Sequence, residues 1–75
     1  MKTEIYNNES FCLSELCVAR DVFCNKHTTK EQYRIMEKCL SIMYLWCSDT
    51  IKTTVLSVLE EAERRRVYFE LIWNK

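Results

Sequence analysis

The sequence predicts an all-α domain of three helices, and three observations carry that prediction. The chain has 75 residues and contains neither glycine nor proline. Without glycine, tight turns that need a positive φ fall to Asn, Asp and similar residues, which disfavours multi-turn β folds. Apolar residues recur at three- and four-residue spacing through three separate segments, as amphipathic helices require. Residues able to cap a helix N-terminus precede each segment: Asn8 and Ser10, then Thr28 and Thr29, then Ser48, Asp49 and Thr50. The expected helices cover about 9–25, 29–47 and 50–72, within one domain spanning 1–75.

Met1 to Asn8 reads as a short arm with weak strand alternation. In the first helix Cys12, Leu16, Ala19 and Phe23 fall on one stripe, with Leu13 and Val22 beside them, while Ser10, Ser14, Asp21 and Asn25 mark the wet side. Asn25-Lys26-His27-Thr28 is the first link. Thr28 with Glu31 and Thr29 with Gln32 are two overlapping capping boxes, the clearest helix start in the chain.

The second helix organises the rest. Tyr33, Met36, Leu40, Met43 and Cys47 form one apolar stripe, and Ile35, Cys39, Ile42 and Trp46 form another alongside it. Glu37 and Lys38 begin a polar side that runs on through Ser41 and then meets Tyr44 and Leu45. The stretch from Cys39 to Cys47 is therefore apolar nearly all round, and such a helix is expected to be central and to need cover on every side.

The third helix is expected to bury Ile51, Val55, Val58, Leu59 and Ala62, with Thr53, Ser57, Glu60 and Arg64 facing water. Glu60 with Arg64 and Glu61 with Arg65 are favourably oriented i,i+4 pairs. The last stretch, Arg65 to Trp73, admits two readings. As helix it continues the core stripe through Phe69 and Trp73; as strand, Val67-Tyr68-Phe69 would pair with the arm around Ile5, giving an α+β fold. Two strands alone are marginal, so helix is the better reading.

Composition bounds the function. The chain is 48% hydrophobic and 12% aromatic, too apolar for a disordered segment. Eleven basic residues balance eleven acidic ones, so the global positive field of a typical nucleic-acid binder is missing. Met1 to Ser10 shows no apolar run after a basic start, and the longest apolar run is about half the roughly 20 residues that cross a bilayer. These features predict a cytoplasmic protein with no membrane association. The five cysteines, Cys12, Cys17, Cys24, Cys39 and Cys47, are odd in number and sit inside helical patterns. Buried, reduced thiols acting as small hydrophobes account for them better than a secreted disulfide scaffold.

Candidate chemistry is sparse. Cys17, Cys24, His27 and Cys39 could be considered for zinc, but the close ligand pairs that zinc sites use are missing, so no metal or cofactor is expected. A cysteine nucleophile working with His27 would lack a glycine oxyanion loop and a cleft, so no catalysis is expected. Arg64-Arg65-Arg66 followed by Tyr68, Phe69 and Trp73 has a basic and aromatic character that can suit nucleic acid. Glu60, Glu61 and Glu63 stand directly upstream to neutralise it. Helices two and three could form a helix-turn-helix, yet Lys52, Thr53, Ser57, Glu60 and Glu61 would give the reading helix few phosphate contacts.

The remaining signal is apolar residues on otherwise polar sides: Tyr44 and Leu45 on helix two, Tyr68 and Leu71 on helix three, with Trp73 and the arginines nearby. Such breaks in a wet stripe mark interfaces. The sequence therefore predicts a non-catalytic interaction module, a small regulator or stoichiometric inhibitor or adaptor, that binds another protein or a second copy of itself. Small phage-encoded inhibitors share this general character. The alternative is a small DNA-binding regulator of helix-turn-helix type.

Overall fold

A computed structural model describes the backbone of residues 2–74 and the side chains of residues 5–74. A 3-10 helix (Lys2–Asn7) leads into α1 (Glu9–Cys24), α2 (Lys30–Trp46) and α3 (Asp49–Trp73). No strand occurs among the described residues. The expected arm is thus a 3-10 turn rather than an extended segment, with Met1 outside the described residues, and the strand alternative for Arg65 to Trp73 does not hold.

Each boundary follows from local chemistry. The Asn8 N–H donates to the Ile5 carbonyl at 3.2 Å and closes the 3-10 turn. The Asn8 side-chain oxygen then accepts the Phe11 N–H at 3.1 Å, satisfying one of the free donors that begin α1. Of the two overlapping boxes before α2, the second forms. Thr29 Oγ1 accepts from the Gln32 N–H at 3.1 Å, and the Thr29 N–H donates to Gln32 Oε1 at 3.0 Å. Thr28 is unavailable for capping because its side chain is buried and donates to the Val22 carbonyl. Ser48 is the N-cap of α3, but its hydroxyl turns away to Glu9 Oε2 at 3.4 Å.

The chain reverses direction twice without glycine. Asn25 and Cys47, which end α1 and α2, both sit in extended backbone with φ of −87° and −81°. No described residue has a positive φ. The usual left-handed helix cap is thereby avoided, and Asn25 helps instead by accepting the His27 N–H on its side-chain oxygen at 2.9 Å.

The three helices pack antiparallel to their sequence neighbours in a body 40 × 22 × 17 Å, its long dimension set by α3 at about 37 Å for 1.5 Å per residue. The core takes Cys12, Leu16, Ala19 and Phe23 from α1, Tyr33, Leu40 and Met43 from α2, and Ile51, Val55, Val58, Ala62 and Phe69 from α3, with Cys47 from the link. Leu59 and Met36 are half-buried against it. Tyr33 closes one end, with its ring centroid 4.8 Å from Phe23, 5.0 Å from Phe69 and 5.3 Å from Trp73. Its hydroxyl donates to the Ala62 carbonyl. Trp73 Nε1 donates to the Thr28 carbonyl at 2.9 Å. These contacts explain why α3 stays helical to its end: only a helix carries Phe69 and Trp73 back over Tyr33, on the stripe begun by Val55 and Ala62.

Two packing expectations need correction. Helix α2 is not enclosed: Tyr33, Leu40 and Met43 are buried, but Ile35, Cys39, Ile42 and Trp46 face outward. A helix in a three-helix bundle meets only two neighbours, which cover one arc of its surface. Likewise only Cys12 and Cys47 are buried thiols; Cys17, Cys24 and Cys39 are exposed, and all five are free.

Candidate interaction face

The expected interface residues fall in three different environments. Leu45 is 68% exposed, and Tyr68 and Leu71 are also exposed. Tyr44 is half-buried against the core, with Lys52 Nζ 5.9 Å above its ring. Trp73 is half-buried and belongs to the aromatic end of the core. The antiparallel register also separates them. Lys52 donates to the Cys47 carbonyl at 3.0 Å and lies over Tyr44, which sets Tyr44 and Leu45 at the start of α3. Tyr68 stands 16 residues further on, roughly 24 Å along the axis at 1.5 Å per residue. Tyr44 and Leu45 therefore do not share a surface with Tyr68 and Leu71.

The three arginines are committed within the chain. Arg64 and Arg65 both bind Glu61, at 2.6 and 2.8 Å, so the expected Glu61–Arg65 pair forms while Arg64 reaches back three residues. Their hydrogen bonds hold the Glu61 carboxyl below the usual carboxylate range. Arg66 crosses to Glu37 on α2, approaches Glu70 at 3.7 Å and lies 5.9 Å from the Tyr33 ring centroid. The hydrogen bond from Glu37 raises its guanidinium pKa. Glu37, which the helical pattern put on the wet side, is drawn inward by this pair.

The largest apolar feature on the surface was read from the pattern as a second core stripe. At 100° per residue Ile35, Cys39, Ile42 and Trp46 occupy an arc of roughly 60° on the outer side of α2. Ile35 and Trp46 are each 53% exposed. Leu45 adjoins the stripe one turn from Ile42, and Lys38 lies between them on the wheel. The 4-3-4 spacing is that of the a and d positions of a coiled-coil seam. A monomer rarely leaves contiguous apolar surface of several hundred Å² uncovered without a use for it.

Beside the stripe, α1 and α2 diverge into an open groove of about 520 Å³, lined by Val22, Gln32, Ile35 and Met36 among others. Tyr6 of the 3-10 helix packs nearer the opposite end of the same side. Burial first, then the neighbouring Cys39, Cys12 and Glu15 groups, push its hydroxyl above the ordinary value. A smaller patch, Val67, Tyr68 and Leu71, occupies the far end of α3.

Among the described residues, no group of three or more His, Cys, Asp or Glu side chains is arranged to hold a metal ion. His27 is exposed in the first link. No helix among them is long and apolar enough to cross a membrane. No family model matches the chain, and neither does any curated protein or solved structure.

Proposed function

We propose that this chain is a non-catalytic protein-interaction module, a small regulator, inhibitor or adaptor that acts by covering a surface on a protein. The observation that supports this reading is the outward stripe Ile35, Cys39, Ile42 and Trp46, extended by Leu45 on the same helix. Its seam spacing suits an α-helix as the docked element. Trp46 is half exposed at the stripe's end, and aromatic anchors of that kind dominate binding energy where they are fully desolvated. The DNA-binding alternative draws less support, because Arg64, Arg65 and Arg66 are each paired with glutamates. Lys52 on the first turns of α3 is turned toward Cys47 and Tyr44.

The test is affinity capture with the wild-type chain and an Ile42→Glu variant side by side. Both should show the same helical circular dichroism, since Ile42 is outside the core. A protein retained by the wild type and lost by the variant is the expected outcome. Equal retention by both would place binding on another face. A shift of duplex DNA that weakens steeply with salt would favour the nucleic-acid reading.

A further inference from the structure

The geometry points to a second copy of this chain as the occupant of the α2 face, joined antiparallel about a twofold axis between Cys39 and Ile42. This rests on the reading of that face as an interface and specifies what covers it.

The first argument is charge. At the α2 N-terminal end of this side, Lys26, Lys30, Arg34 and Lys38 are exposed, against Asp21 and Glu31. At the other end stand Glu9, Glu15 and Asp49, and Ser48 touches Glu9 there. Lys52, the nearby cation, is turned to the Cys47 carbonyl on the α3 side. The face is thus basic at one end and acidic at the other. An antiparallel twofold lays each basic end over the acidic end of the other copy, and it also opposes the two α2 dipoles favourably. A parallel pairing would stack like on like.

The second argument is shape. With the axis between Cys39 and Ile42, each Cys39 meets the other copy's Ile42, and each Ile35 meets the other's Trp46. That last contact sets the indole beside Ile35, where the groove between α1 and α2 opens onto Val22 and Met36. The Lys38 stem is carried toward Leu45 of the other copy, where its methylenes can cover that side chain while the ammonium stays wet. The interface is isologous, as closed dimers require.

The third argument is area. A folded monomer of 9.1 kDa is expected to expose about 4,900 Å², and this chain exposes 5423 Å². The surplus of roughly 500 Å² approaches the ~800 Å² that one partner contributes to a standard interface. It fits a reversible dimer of modest size.

The test is sedimentation velocity of the full chain from low micromolar to several hundred micromolar concentration. The expected mass rises toward twice 9.1 kDa, whereas an Ile42→Glu/Trp46→Glu variant stays monomeric. If that variant loses its helical signal, Trp46→Ala replaces it. Two charge variants test the register: Arg34→Glu/Lys38→Glu and Glu9→Lys/Glu15→Lys should each self-associate at least tenfold more weakly, and their mixture should recover wild-type association. A wild type that stays monomeric overturns the self-association proposal while leaving the capture test above to decide whether another protein uses this face. A dimer indifferent to Ile42 and Trp46 overturns the choice of face. A dimer indifferent to both charge variants overturns the antiparallel arrangement.

Discussion

Tyr33 is where the three helices meet, and its chemistry ties stability to pH. The side chain is fully buried and its hydroxyl donates to the Ala62 carbonyl. Burial, then the Glu37 carboxylate, push its pKa from 10.0 up to about 12, while Arg66 and Arg65 pull the other way and Glu61 adds to the rise. Between those values the folded state keeps a proton that the unfolded state has lost. The contribution is therefore complete below pH 10 and is lost as pH climbs toward 12, amounting to about 2–3 kcal/mol. Urea unfolding should show Tyr33→Phe to be about 1 kcal/mol less stable than wild type at neutral pH, with the gap narrowing or reversing in that alkaline window. Parallel pH profiles would show that the hydroxyl does not titrate as argued. The thiols give a second reading at this scale. Cys12 is buried, donates to the Tyr6 carbonyl at 3.5 Å, and has its pKa raised chiefly by burial. In dilute native protein, alkylation should be fast at Cys17, Cys24 and Cys39 and slow at Cys12 and Cys47, as mass spectrometry can follow. Uniform rates would contradict the burial pattern. Cys39→Ser should change stability by less than about 0.5 kcal/mol, as expected of an exposed site.

At the scale of the element, α2 has two apolar faces with different employment. Leu40→Ala should cost about 2–5 kcal/mol in chemical denaturation, because it opens a cavity in the core. Ile42→Glu, two residues on, should leave the fold intact. A variant pair with equal losses would mean that both faces are core. Thr29→Ala removes one half of the capping box and should cost about 1 kcal/mol. These helices were legible in the sequence to within a residue or two. The Thr29–Gln32 box and the Val55–Ala62–Phe69 stripe are local patterns, and local patterns survive without knowledge of tertiary neighbours. The face carrying Ile35 and Trp46 was not assignable in the same way. Periodicity shows that a stripe is apolar, but only the positions of α1 and α3 show whether the same chain covers it. Tyr68 and Leu71 were similarly legible as exposed. Their distance from Leu45 depends on the antiparallel register, which the Glu37–Arg66 pair and the Trp73–Thr28 hydrogen bond fix.

For the whole molecule, the account joins an elongated bundle to an apolar face with opposite charges at its ends. Core burial explains the fold; it leaves the α2 stripe, the charge asymmetry and the surplus of surface without a role inside one copy. An interface on α2 gives all three a common cause. The Cys39 thiol lies within that stripe, whereas Cys17 and Cys24 lie on the α1 edge that faces α3 and serve as internal references. The most direct measurement is therefore the native alkylation rate of these three thiols across a dilution series of the wild-type chain. The account predicts that Cys39 slows progressively as protein concentration rises while Cys17 and Cys24 keep constant rates. Three rates that are all independent of concentration would contradict it.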